Sequence, residues 1–183
     1  MQSTNKVELL KPEEVQRAAA LIKSVILENP YYNSAVKREY ISWYTPEQLL
    51  RHLKKKDMIL AVAKIGNKIV GFGSVWRSFG GVGWSDWTMV DRKYRREGIG
   101  TKIWNFKIGL AKKWGIHKVM ADSLVINKGG NAFAKAHGLR RVAVLKRHWY
   151  GQDYYLWEQQ IGKMSKRTKE FHWIKIEEPP GGA

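Results

Sequence analysis

Trp84-Ser85-Asp86-Trp87-Thr88-Met89-Val90-Asp91-Arg92-Lys93-Tyr94-Arg95-Arg96-Glu97-Gly98-Ile99-Gly100, continuing to Lys113, is the stretch from which the fold is read. Its opening, Trp84 to Val90, is rich in aromatic and β-branched side chains and predicts a strand. Asp91 to Gly100 is a basic turn containing two glycines. Ile99, Ile103, Phe106, Leu110 and Trp114 then recur at spacings of four, three, four and four, which predicts an amphipathic helix. A strand, a glycine turn and a helix in that order suit a phosphate. The N–H groups at a helix start have no partner within the helix, the dipole adds positive potential, and glycine lets a ligand approach the backbone. Arg92, Lys93, Arg95 and Arg96 surround that point with positive charge.

Composition narrows the rest. A chain of 183 residues fits one domain with a sizeable core. No apolar run approaches the length needed to span a bilayer, and Met1 to Glu8 lacks the apolar region of a signal peptide, so a soluble cytoplasmic protein is expected. There is no cysteine, which excludes disulfides, a thiolate nucleophile and cysteine metal sites. The histidines show no metal-ligand spacing, so no metal is expected. The formal charge of +17 exceeds what one phosphorylated ligand requires. It points either to a polyanionic partner such as RNA, DNA or the ribosome, or to a lysine-rich solvated surface of the kind found in heat-adapted proteins.

Around the central stretch the chain alternates strand and helix signals. Val7 to Leu10 predicts a first strand, and Pro12-Glu13-Glu14 starts a helix running to about Asn29. Asn29 to Ser34 breaks it. Thr45 caps a second helix through Leu49, Leu50 and Leu53 to Lys56. Asp57–Ile65 and Lys68–Arg77 read as a hairpin around Gly66-Asn67. Lys118–Ile126 reads as a buried strand, Asn127–Leu139 as a helix closed at Gly138, and Arg141–Trp149 and Asp153–Ile161 as the last two strands. Residues 1–161 form the expected domain, and 162–183 a basic extension whose end is expected to be mobile.

The turn is neither a Walker loop, which needs Gly-Lys-Ser/Thr, nor the dinucleotide fingerprint, which needs a third glycine. Arg95-Arg96-Glu97-Gly98-Ile99-Gly100 resembles motif A, Arg/Gln-x-x-Gly-x-Gly/Ala, of the GNAT N-acetyltransferase superfamily. Val70-Gly71-Phe72-Gly73 resembles the strand found at that place in the family, and Asn127 to Leu139 its Asn-x-x-Ala helix. The resemblance covers roughly residues 5 to 161. It implies an α/β (α+β) GNAT fold: a mixed, mostly antiparallel twisted sheet of about seven strands, splayed near its centre and flanked by about four helices. It also implies acetyl-CoA as cosubstrate. The coenzyme contacts would be Arg95, Arg96, Glu97, Gly98, Ile99, Gly100 and Thr101 at the turn, with Asn127, Phe133 and Lys135 from the later helix. Met89 and Val90 would lie along the pantetheine, and one of their N–H groups would stabilise the thioester oxygen.

Acetyl transfer to an amine requires that the amine lose a proton, and a lysine side chain has a solution pKa near about 10.4. Two aspartates are candidate bases. Period-2 alternation places Asp86 on one face with Trp84, Thr88 and Val90, and Asp122 lies where protein N-terminal acetyltransferases carry a base. Many relatives have a tyrosine seven residues after the Asn as general acid; here that position is Ala134. Tyr150 is the candidate replacement, with Tyr154 and Tyr155 nearby in sequence. Tyr31, Tyr32 and Tyr154 are candidate acceptor contacts, with Tyr40, Trp43 and Tyr44 in the same aromatic loop. The resulting expectation is an N-acetyltransferase acting by direct attack on a primary amine, preferably a protein N-terminus or lysine. Two alternatives stay open: a non-catalytic acyl-CoA-responsive nucleic-acid or ribosome binder, and an enzyme acting on a small-molecule amine.

Overall fold

Met58-Ile59-Leu60-Ala61-Val62-Ala63 is apolar at every position, the pattern of a strand covered on both faces. The computed structural model describes residues 6–164 and shows why. Its elements begin with β1 (Lys6–Leu9), α1 (Val15–Leu27), α2 (Ser34–Trp43), α3 (Pro46–Lys55), β2 (Met58–Ile65) and β3 (Lys68–Arg77). They continue with β4 (Val82–Trp84), β5 (Thr88–Val90), α4 (Ile99–Lys113), β6 (Lys118–Leu124), α5 (Lys128–Ala136), β7 (Arg140–Leu145) and β8 (Tyr154–Gln160). All eight strands join one sheet in the order β1-β2-β3-β4-β6-β8-β7, with β5 also paired to β3. Among the described strands only β4 and β6 run parallel. Leu60 and Val62 pack towards α1, α2 and α3, while Ile59, Ala61 and Ala63 face the side that α4 covers.

Helix α4 lies unusually close to the sheet. A Cβ built on Gly71 would stand 2.6 Å from Ile103, and one on Gly73 would stand 2.4 Å from it. The missing side chains on β3 are the space that Ile103 fills, which draws the helix onto the strand. The buried face of α4 is Ile99, Ile103, Trp104, Lys107, Ile108 and Ala111, whereas Phe106, Leu110 and Trp114 are only partly buried. The hydrophobic count had set the stripe too far round because it skipped a lysine.

Two further differences from the sequence reading concern the site. The segment between the first helix and Thr45 holds a helix, α2, whose Asn33 cap accepts a hydrogen bond from Val36 N at 3.0 Å and whose Val36 and Tyr40 turn inward. The strand expected from Trp84 to Val90 is interrupted at Ser85–Trp87. Trp84 sits opposite Trp76 and Thr88 opposite Gly73, so four steps along one strand match three along the other. That extra residue is a β-bulge. It also breaks the expected common face. Val90 packs on the α4 side, Met89 on the α1 side, and Trp84 and Asp86 line a cavity on the latter. The C-terminal extension lies outside the described residues from 165 onward. No described helix is long and apolar enough to cross a membrane.

Gly73→Ala should destabilise the fold by about 1–3 kcal/mol through overpacking against Ile103. Urea unfolding measures this, and adding Ile103→Ala should return part of the loss in a double-mutant cycle.

Candidate active site

The bulge opens the sheet. Up to Ser85, whose N–H donates to Met120 O at 2.7 Å, the central strand is bonded to β6; beyond it, β5 pairs only with β3. Ser74 N donates to Trp87 O and Asp91 N to Val70 O, so the alternation of an antiparallel ladder makes Phe72–Met89 the bonded pair. The N–H groups of Thr88 and Val90 therefore point away from β3, into the opening. Of the two expected oxyanion donors, Val90 offers its N–H there, while Met89 spends its own on the ladder and buries its side chain among the α1-side residues. The opening is a cleft lined by Asp86, Trp87, Thr88, Asp122, Asn127, Phe133 and Tyr154, among others.

At the far end of β5 the chain turns into α4. Arg95 Nε donates back to Val90 O at 3.0 Å. Arg96, at φ +67°, and Gly98, at φ +74°, wind the turn tightly in the left-handed region, and no side chain caps the helix start. No atom lies within 4 Å of a Cβ built on Gly98, so the space above the turn is open to a ligand. Phe133 closes the side of this path: a Cβ on Gly100 would meet it at 3.3 Å, and its ring stacks on His137 with centroids 4.0 Å apart. Asn127 Oδ1 accepts from Gly130 N at 2.9 Å and so starts α5 beside the cleft. Ile99 is buried beneath the turn, Glu97 and Thr101 are exposed at its rim, and Lys135 is exposed on α5. An uncapped helix start, cationic side chains and a cleft with unpaired amides fit a phosphorylated, amide-containing ligand. The buried Trp87 Nε1, without a partner among the described residues, fits it too.

A second cavity, of about 670 Å³, meets the cleft from the α2–α3 side. Its wall is aromatic: Tyr40, Trp43, Tyr44, Trp76, Trp84, Trp149 and Tyr150. Asp86 and Asp122 border both the cavity and the cleft, so the bulge brings the two candidate bases to the junction. Burial pushes both carboxyls up. For Asp86 the charge of Asp122 adds to this, while the Tyr44 hydroxyl, which donates to it, and the nearby Lys107 ammonium oppose it. For Asp122 the opposing hydrogen bond comes from Trp149 Nε1, 2.9 Å from Oδ2.

The family model described as Acetyltransferase (GNAT) family matches residues 25–139. The chain belongs to the GNAT family. Membership makes it an acetyl-CoA-dependent N-acetyltransferase. Comparison with curated proteins gives no match. Among solved structures the fold is similar to a PaiA N-acetyltransferase from Thermoplasma acidophilum in complex with coenzyme A, with a TM-score of 0.74 and 16% identity over 86% of this chain and 99% of that one. It is also similar to the ribosomal-protein-S5-alanine acetyltransferase from Vibrio fischeri (TM-score 0.70, 20% identity, 88% and 95% covered). A third is the ribosomal-protein-S18-alanine N-acetyltransferase from Escherichia coli (TM-score 0.67, 14% identity, 89% and 97% covered).

Within this GNAT site the tyrosines separate by position. Tyr32 and Tyr154 border the cleft, Tyr150 borders the aromatic cavity, and Tyr31 borders neither. Tyr40 links them, with ring centroids 5.2 Å from Tyr32 and 5.9 Å from Tyr150. Burial holds the hydroxyls of Tyr32, Tyr40 and Tyr154 above their ordinary value, and Tyr150 is pushed up to about 12. Tyr155 turns to the other face of β8, under the Arg141 guanidinium at 4.6 Å. Gln48, His52, Trp76 and Ser85 line the cavity or the cleft and were missed by the sequence reading, as was Lys107 beneath them. A lysine at the fourth-residue spacing Ile99, Ile103, Lys107, Ala111 was the available signal for the last.

Gly98→Trp should abolish acetyl-CoA binding in isothermal titration while leaving a cooperative thermal transition. Its side chain would fill the open space above the turn, at a strained φ.

Proposed function

We propose that this GNAT enzyme transfers the acetyl group to a primary amine carried by a protein, an N-terminus before a lysine side chain. The observation that carries this reading is the meeting of two carboxylates at the inner end of an aromatic cavity. An ammonium entering between Asp86 and Asp122 is attracted by both carboxylates and by the surrounding rings. Gln48 lines the same cavity, and its buried Oε1 has no hydrogen-bond partner among the described residues. It suits a peptide N–H, which a simple polyamine lacks. The printed activities of the Vibrio fischeri and Escherichia coli neighbours, both on ribosomal-protein alanines, support the same class.

In this mechanism the bound thioester supplies the electrophilic carbonyl. Asp122, raised by burial but still able to ionise, accepts the amine proton, and Asp86 orients the ammonium. The Val90 N–H donates to the oxygen on which negative charge develops. Tyr154 borders the cleft and holds its proton firmly, so it stabilises the leaving sulfur by hydrogen bonding rather than by giving up the proton. The net charge of +17 supports an additional contact with a polyanion such as RNA or the ribosome. A steep fall of RNA binding with salt tests that contact.

A mass-spectrometric screen across peptide N-termini, lysine peptides and small amines tests the acceptor. Acetylation confined to small amines, or none with bound acetyl-CoA, would overturn the protein-amine reading. Asp122→Asn should lower kcat/KM by about a hundredfold or more, with coenzyme affinity nearly intact. Because burial raises this carboxyl, the parent should lose activity as pH falls through a value above about 3.9. A variant with the parent's rate at every pH would remove Asp122 from the chemistry.

A further inference from the structure

Lys107 is fully buried, at 0% exposure, on the face of α4 pressed against β3. A lone lysine is a costly residue to place there, because an ammonium removed from water must regain its hydrogen bonds inside the protein. Lys107 does so at one place. Its Nζ donates to Trp87 O at 2.6 Å, to Ser85 Oγ at 2.9 Å and to Ser74 O at 3.2 Å. These three acceptors flank the bulge. The extra residue has disturbed the ladder there: Trp87 N donates to Ser74 Oγ instead of to a strand carbonyl. Three ammonium hydrogens meet three acceptors, and one of them, the Ser74 carbonyl, is the group that a regular ladder would have bonded to the Trp87 N–H.

We propose that Lys107 is a positioning residue for acetyl transfer, its ammonium pinning the bulge from beneath so that Asp86 and the Thr88 and Val90 amides face the substrates. Bulge, cleft and carboxylate are contiguous: Ser85 and Trp87, which Lys107 holds, are the immediate neighbours of Asp86. Lys107 reaches neither the cleft nor the aromatic cavity and does not touch a reacting atom. It also places a positive charge behind Asp86 and favours the carboxylate form. The effect is reciprocal: Asp86 favours the ammonium, while burial pulls Lys107 down to about 7. The titratable groups facing Asp86 are Tyr44 from the end of α2, Asp122 from β6 and Lys107 from α4; the one facing Lys107 is Asp86.

The catalytic part of this inference rests on the proposed acetyl transfer, and the test separates the two. The first arm needs no turnover. In protein carrying 13C-labelled lysine, one resonance, absent from Lys107→Met, should titrate far below the surface lysines, which titrate near about 10.4. Asp86→Asn should move it lower still, and in Lys107→Met the Asp86 carboxyl should titrate higher than in the parent. In the second arm, Lys107→Met and Lys107→Gln should lose about 10–100-fold in kcat, the scale of a small misplacement of reacting groups, with coenzyme affinity within about twofold of the parent. If neither lysine variant folds, Ser85→Ala decides. It removes one of the three acceptors and should lower kcat several-fold with a nearly unchanged thermal midpoint. A Lys107 that titrates with the surface lysines, or a folded variant with the parent's kcat, overturns the proposal. A parent that releases no thiol with any amine instead overturns the acetyl-transfer reading, and the titrations alone then decide the role of Lys107.

Discussion

One residue more on the central strand than on β3 governs the rest of this structure. The surplus between Trp84 and Thr88 parts the strand from β6, turns two amides outward and sets Asp86 where the cleft and the aromatic cavity join. A regular strand would have paired on both edges and left no room for a ligand, since buried backbone groups are almost always bonded. The sheet is closed wherever both neighbours are present and open only where the count differs.

Holding such an opening requires support from below, and α4 provides it. Glycines at 71 and 73 let the helix approach until Ile103 meets the strand, which brings Lys107 within reach of the Ser74 and Trp87 carbonyls beside the bulge. The same helix begins at Gly98, where its uncapped N–H groups face the candidate phosphate path. Helix, glycines and bulge are therefore one device: the close approach that anchors the strand also fixes the distance from the phosphate turn to the carboxylates. Asp86 and Asp122 differ correspondingly. Asp86 is held by Tyr44 and backed by a buried cation, whereas Asp122 is tied to Trp149, a half-exposed residue after β7. The proposed mechanism accordingly gives the proton transfer to the less constrained of the two.

Much of the fold was legible in the chain. The continuous apolar run of β2, the Gly66-Asn67 hairpin, the Thr45 cap and Asn127 at the start of α5 are local signals, each fixed by backbone geometry or a single side-chain bond. The turn at Gly98 was legible for the same reason, because the glycine and the helix it begins act over a few consecutive residues. Helix α2 was hidden because Asn29-Pro30 reads as a break, while Val36 and Tyr40 supply its only buried pair.

What the sequence determined by itself, then, was most of the order of strands and helices, a candidate phosphate turn and two candidate carboxylates, since these depend on residues close together in the chain. Tertiary structure alone decided which face each residue of the central strand presents, because a bulge is a mismatch of counts between two strands. It likewise decided the partnership of Lys107 with Ser74, Ser85 and Trp87. A lysine on an apolar face has meaning only once the carbonyls that receive it, 20 to 33 residues away in the chain, are brought to it.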